Sequence, residues 1–291
     1  MAGLQDIRRR IRSVKNTQQV TKAMKMISAV KLRKSQERLA AMRPYASKLQ
    51  EMTLSVMAAV QGGVDADFDP IGMAFTSPRE EKSIRVVVVA SDKGLCGGFN
   101  ANVLKKVQAF LRTKSGVKVT VDAVGKRSAD WARKQSLKPS SEHLGVPLGG
   151  LDRVAQTLAE EAVEQYIRGE VDALYIVYNH FHSAMSQEPT ILRVFPVELE
   201  AMETRPFKVA PLLEPDANVI LESLLPRYLG ITLLRGLLES SASEHGARMA
   251  SMDKASNNAG EMISKLTLTM NKIRQAAITN QIIEIVSGAN A

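Results

Sequence analysis

The chain has 291 residues, of which 45% are hydrophobic, 24% charged and only 4% aromatic; this is enough for one compact domain and a substantial elongated element built through Leu, Ile, Met and Ala contacts. A single cysteine, Cys96, excludes an intrachain disulfide framework and a dithiol switch, and suits a reducing cytoplasm. The net charge of +9 is uneven, because residues 1–50 hold thirteen Lys or Arg against Asp6 and Glu37 while the remainder is slightly acidic. That segment is expected to face something acidic: a phosphate backbone, anionic lipid or an acidic protein surface.

The opening residues are charged from the first turn, and no stretch approaches ~18 apolar residues, so the chain reads as neither exported nor membrane-spanning. From Leu4 to Arg43 there is no proline or glycine. One heptad register runs Leu4, Ile7, Ile11, Val14, Gln18, Thr21, Lys25, Ser28, Leu32, Ser35, Leu39, Met42 and resumes after Pro44 with Ala46, Leu49, Thr53, Val56 and Val60. The pattern predicts one long helix over residues 1–61, kinked near Pro44 and stopped by Gly62-Gly63. At ~1.5 Å per residue it would span ~85 Å and must project from a compact domain. Between residues 18 and 28 the seam turns polar, and Val20, Met24 and Ile27 carry an apolar stripe one position earlier. That stretch is expected to face more than its partner helix.

The middle of the chain has another period. Residues 84–90, Ile-Arg-Val-Val-Val-Val-Ala, predict a buried parallel strand. A glycine turn and a helix over 102–112 follow, then strands at 117–124 and 173–178 and helices at 126–134 and 152–168. Residues 190–199 are expected to add an edge strand, because of the proline within that run. The alternation predicts an inserted α/β, Rossmann-like domain over 83–200 with a mostly parallel sheet, joined by connectors at 62–82 and 201–216.

A second 3-4 seam runs through Met249, Met252, Ser256, Ala259, Ile263, Leu266, Met270, Ile273, Ala277 and Asn280. It predicts a C-terminal helix over 212–287, weakened by Gly246 and Gly260, with Pro226 limiting how early it runs smoothly. Seams at both ends of a chain around one inserted domain favour an antiparallel intramolecular coiled coil.

Motifs for chemistry are weak. In the turn SDKGLCGGFN, residues 91–100, Gly94, Gly97 and Gly98 lack the spacing that lets backbone amides converge on phosphate. His180 and His182 could share a strand face, but no third ligand has recognisable spacing. Cys96 has no catalytic partner. No cofactor and no autonomous active site are expected. The basic helix has no Phe, Tyr or Trp before residue 45, which leaves stacking on single strands unsupported. A duplex-binding basic region is the alternative to an acidic protein partner.

Three strings carry a family resemblance: MAGLQDIRRRIRSVKNTQQVTKAMKMISAVKLRKSQ, ASDKGLCGGFN and SEHGARMASMDKASNNAGEMISKLTLTMNKIRQAAITNQIIEIVSGA. Each resembles the gamma subunits of F-type ATP synthases. The resemblance implies a non-catalytic rotor in the central stalk, transmitting torque between a membrane c-ring and a catalytic hexamer of alpha and beta subunits during proton-driven ATP synthesis. The driving ion itself is set in other subunits. It also implies an epsilon partner at the foot, no nucleic acid, no membrane insertion, and a peripheral place on the cytoplasmic face of the bacterial inner membrane. By the same resemblance, beta-subunit contacts are expected at Met24, Lys25, Arg274, Gln275 and Thr279. Foot contacts to the c-ring and epsilon are expected at Lys93, Cys96, Leu213 and Glu214. Family members often carry aromatic residues before the E-P-[DS] string, where this chain has Leu212 and Leu213. The plant-type regulatory insertion with its cysteine pair is absent.

Overall fold

The computed structural model describes residues 2–62, 79–197, 214 and 217–289. In chain order the elements are α1 (Ala2–Gly62), β1 (Ser83–Val89), α2 (Phe99–Thr113), β2 (Lys118–Val124), α3 (Lys126–Lys134), β3 (Ser141–His143), a 3-10 turn (Leu148–Gly150), α4 (Leu151–Ile167), β4 (Ala173–Phe181), β5 (Gln187–Phe195) and α5 (Ala217–Ala289). They fall into two compact units: Met1–Val30 with Arg248–Ala291, and Lys31–Ala247. The fold is the expected one, a two-helix coiled coil made from both chain ends together with an inserted α/β domain. The connectors expected at 62–82 and 201–216 lie mostly outside the described residues.

Both long helices contain a proline, Pro44 in α1 and Pro226 in α5. Each proline removes one N–H, which frees the carbonyl four residues earlier. Those residues, Ala40 and Glu222, are exposed, so water can satisfy the freed carbonyl. α5 accordingly runs through Pro226.

In the second unit the sheet order is β3-β2-β1-β4-β5. The first four strands are parallel and β5 pairs antiparallel with β4. Alternation along β1 sends Ile84, Val86 and Val88 to one face, where they pack with Val103 and Val107 of α2 and Ala132 of α3. The other face carries α4 and the sheet-facing part of α5, whose Gly236 lies against Ile176 and Tyr178.

Arg85 points to that second face and is fully buried. Its Nε donates to Asp122 Oδ2 at 2.5 Å, its Nη2 to Glu161 Oε2 at 2.6 Å and its Nη1 to Gln165 Oε1 at 3.2 Å. Ser141 Oγ of β3 donates to Asp122 Oδ1 at 2.7 Å. An unpaired guanidinium here would cost several kcal/mol, so the network ties β1, β2, β3 and α4 together.

Gly125 opens α3 at φ +92°, where a Cβ would stand 2.0 Å from Ala90 O; only glycine lets β2 turn this tightly beside the end of β1. The edge strand starts and ends earlier than expected, at Gln187–Phe195. Pro196 therefore follows it, and the proline inside it is Pro189, opposite Asn179. An edge strand tolerates the missing donor.

Candidate partner-binding surfaces

In the first unit the two helices run antiparallel. Gln18 Nε2 donates to Ser256 O at 3.2 Å and Lys25 Nζ to Asp253 Oδ1 at 2.6 Å, so register falls on α5 as it rises on α1. Thr21 and Ser28 of α1 are buried, as are Met252, Ser256 and Ala259 of α5. Gly260 leaves room for Gln18, whose Nε2 would be 3.1 Å from a Cβ there. The glycine that weakens the helix by propensity is thus used for close side-chain packing.

Gln18 is sixteen residues from Ala2, and Ser256 is sixteen from Lys272. The pairing therefore runs out near Lys272, and from Lys272 to Gly288 every residue is exposed. The lower seam departs from expectation accordingly. Ile263, Leu266 and Met270 are half-buried, whereas Ile273, Ala277 and Asn280 are exposed, since among the described residues no helix lies opposite.

Arg274, Gln275 and Thr279 sit on this single-helix overhang, all exposed, with Thr279 Oγ1 donating to Gln275 O at 3.0 Å. They are surrounded by Ile278, Ile282, Ile283, Ile285 and Val286, which are also exposed. Met24 is half-buried. Lys25 is engaged by Asp253, with both side chains nearly half exposed. Lys25 and Arg274 are not brought together: twenty-one residues separate Asp253 from Arg274 on α5, about 30 Å along the axis. Beside Met24, the residues Val20, Met26, Ile27 and Val30 form an exposed apolar strip on α1. Val20 and Ile27 belong to the displaced stripe read from sequence; Met26 and Val30 lay outside it.

In the second unit the turn after β1 is held by Asn100. Its Oδ1 accepts from Ser91 N at 3.0 Å, and its Nδ2 donates to Ser91 Oγ at 2.8 Å and approaches Cys96 Sγ at 3.2 Å. Asp92 accepts from Lys126 N at 2.9 Å and from Gly145 N at 3.1 Å. These bonds join the loops after β1, β2 and β3. Cys96 is 2% exposed and packs with Phe99 and Ala247, so its side chain faces inward. Cys96, expected among the foot contacts, thus lies beneath the surface of the turn with its thiol turned away from solvent. Leu95, held at φ 64°, is exposed in this turn, as are Lys93, Gly97 and Gly98. Lys93 lies in the same turn, Glu214 is exposed, and Leu213 is outside the described residues.

The rings of His180 and His182 meet edge to face at 4.6 Å. His180 Nδ1 hydrogen-bonds Glu239 Oε2, and His182 Nε2 bonds Glu188 Oε2 at 3.0 Å. Glu239 also accepts from Arg235 Nε at 2.9 Å. Burial first, and then the Glu239 carboxylate, push the Tyr178 phenol up to about 12. Among the described residues no group of His, Cys, Asp or Glu is arranged to hold a metal ion. No described helix is long and apolar enough to cross a membrane.

The family model for ATP synthase matches residues 3–291. The ATP synthase gamma chain of Solibacter usitatus is 46% identical over all of this chain and 99% of that protein. The chain belongs to the ATP synthase gamma chain family. The gamma chain of Geobacter metallireducens is 42% identical over the same shares of both chains. Among solved structures, a chain of the Tetrahymena thermophila mitochondrial ATP synthase, from its central stalk and c-ring, matches with a TM-score of 0.60 at 25% identity, over 81% of this chain and 99% of that one. A chain from the Euglena gracilis mitochondrial enzyme in rotational state 3 has a TM-score of 0.65 at 18% identity, over 100% and 94% of the two chains, and shares the fold.

Proposed function

We infer that this chain is the central-stalk rotor subunit of an F-type ATP synthase, non-catalytic itself and transmitting torque between a membrane c-ring and the alpha/beta hexamer. The observation that carries this reading is the pairing of the two chain ends as antiparallel helices, with α5 continuing beyond the pair as an exposed single helix, in a chain that matches gamma chains over its full length. A stiff paired element without chemistry of its own suits mechanical transmission, and two helices resist bending better than one.

On this reading residues 1–61 and 212–287 supply the shaft, and 83–200 the foot that meets epsilon and the c-ring. Beta-subunit contacts fall to Met24, Lys25, Arg274, Gln275 and Thr279. The Arg274 fork suits bidentate pairing with a carboxylate, and the exposed arginines and lysines of α1 suit an acidic protein surface. Foot contacts fall to Lys93, Leu213 and Glu214, with Cys96 shaping the turn that presents Lys93. The subunit is peripheral, on the cytoplasmic face of the bacterial inner membrane.

Affinity purification of the tagged chain from its host tests the reading: alpha, beta and epsilon subunits should co-purify in a complex that hydrolyses ATP. Recovery of the chain with nucleic acid in their place, released steeply by salt, would support the duplex-binding alternative.

A further inference from the structure

Torque can pass between an α/β domain and a helix only where the two are fastened. In the second unit α5 crosses the face of the sheet, and its fastenings concentrate at the C-terminal end of β4. Glu239 of α5 is buried, at 6% exposed, and its two oxygens are divided. Oε1 accepts from Arg235 on its own helix, while Oε2 meets His180 Nδ1 on β4. For that contact to be a hydrogen bond to a carboxylate, Nδ1 must carry the proton. One turn further along α5, Ser243 Oγ donates to Asn179 O at 2.9 Å, and Asn179 Nδ2 reaches Phe99 O at 3.4 Å, which extends the fastening to α2. Two turns from Glu239, Gly246 brings the helix backbone against the β4–β5 turn, where a Cβ would stand 3.0 Å from Ala184 Cα.

Three successive turns of one helix are therefore gripped by residues of one strand and the turn that follows it: Asn179, His180 and Ala184. Apolar packing alone resists separation but permits sliding, because it has no preferred direction. Hydrogen bonds to a buried carboxylate are directional and short, so they resist rotation of the helix about its own axis. The Arg235 charge also matters: a buried Glu239 without Arg235 and the His180 N–H donor would be an uncompensated anion, so the joint closes as a unit.

We propose that the Glu239–His180 and Ser243–Asn179 pairs form a torsional clamp, through which torque applied to the α/β domain enters α5. The clamp rests on the reading of the chain as a rotor subunit. Glu239, His180, Ser243 and Asn179 are positioning residues in that role, acting on the shaft through the helix that carries them.

The test uses the complete complex in vesicles, carrying Glu239→Gln, Ser243→Ala or the control Glu188→Gln, which alters the exposed pair with His182 outside the clamp. The measurements are ATP hydrolysis, ions pumped per ATP, and the angular variance of a bead fixed to the α/β domain while the hexamer is immobilised. Loss of the charged fastening should leave hydrolysis near wild type, lower pumping per ATP about fivefold and widen the bead's angular distribution. Glu188→Gln should match wild type in all three. If Glu239→Gln fails to assemble, Ser243→Ala, which removes one hydroxyl, decides. Assembled clamp variants with wild-type pumping and angular variance overturn the clamp, even where melting temperature falls, since that pattern marks plain packing. Failure of the wild-type chain to assemble with alpha and beta subunits would instead overturn the rotor reading.

Discussion

Lys25 Nζ stands 2.6 Å from Asp253 Oδ1, which places a lysine from a heptad seam position in an ion pair across the helices. Both side chains keep nearly half of their exposure, so water screens the pair and its contribution to stability is about 1 kcal/mol or less. A double-mutant cycle on Lys25→Met and Asp253→Asn, followed by thermal unfolding, should give a coupling energy in that range that shrinks at high salt. A coupling above ~3 kcal/mol would mean that the pair is desolvated. The same pair bears on beta-subunit recognition: Asp253→Asn frees Lys25, so it should alter rotation more than folding.

Seam burial sets a graded series on α5. Met252 is 5% exposed, Leu266 is half-buried and Ile278, on the overhang, is 48% exposed. Truncation to Ala should cost ~2 to 5 kcal/mol at Met252, ~1 to 2 kcal/mol at Leu266 and within ~0.5 kcal/mol of zero at Ile278. Chemical denaturation of the isolated chain would check the order. A large loss at Ile278 would show that the overhang packs in solution.

Much of this arrangement is legible in sequence because a helix repeats its environment every turn. Every α1 seam position from Leu4 to Val56 is buried or half-buried, including the polar Gln18, Thr21, Ser28 and Ser35. Period carries that information whatever the residue type. The strands β1, β2 and β4 follow from their β-branched runs, but β3 has three residues and no period to read. Arg85 interrupts an apolar run, and its partner Asp122 lies on another strand, so no local spacing could pair them. The overhang was hidden for a different reason: the α5 seam continues in sequence past the point opposite the first residues of α1, and a repeat does not record whether a partner is present. The inward turn of Cys96 depends on Asn100, four residues on, whose side chain could have been read only with the turn geometry in hand.

Glu81 offers a pH test. Burial pushes its carboxyl up, but hydrogen bonds from Lys114 and Tyr175 and the charges of Lys114 and Arg193 outweigh burial and hold it below the usual carboxylate range. Lys114 Nζ lies 2.5 Å away and Tyr175 Oη 2.6 Å. The unfolded state then binds the proton more tightly than the folded state, so the stabilisation is present above the ordinary carboxylate range and is lost as pH falls through the depressed value. Glu81→Gln should lower the melting temperature at neutral pH and flatten its acid dependence relative to wild type. Parallel curves for the two proteins at all pH values would show that Glu81 is not a source of the acid sensitivity.

Arg274 and Gln275 are exposed on the part of α5 that has no helix opposite among the described residues, so replacing both with Ala removes no packing seen there. Helix propensity favours the change slightly, and unfolding of the isolated subunit should move by less than ~0.5 kcal/mol. In the assembled complex the outcome should differ. A charge-assisted hydrogen bond from the Arg274 fork to a beta-subunit carboxylate is typically ~1.5 to 3 kcal/mol, which corresponds to one to two decades in the dwell that it governs. The double variant should therefore assemble normally while steady-state hydrolysis falls and single-molecule rotation shows one altered dwell. Restoring Arg274 alone should recover most of the rate if the guanidinium carries the contact, and restoring Gln275 alone should recover little. Dwell times equal to wild type in the double variant would remove the beta-subunit role from these two residues and leave the exposed isoleucines of the overhang as its contact surface.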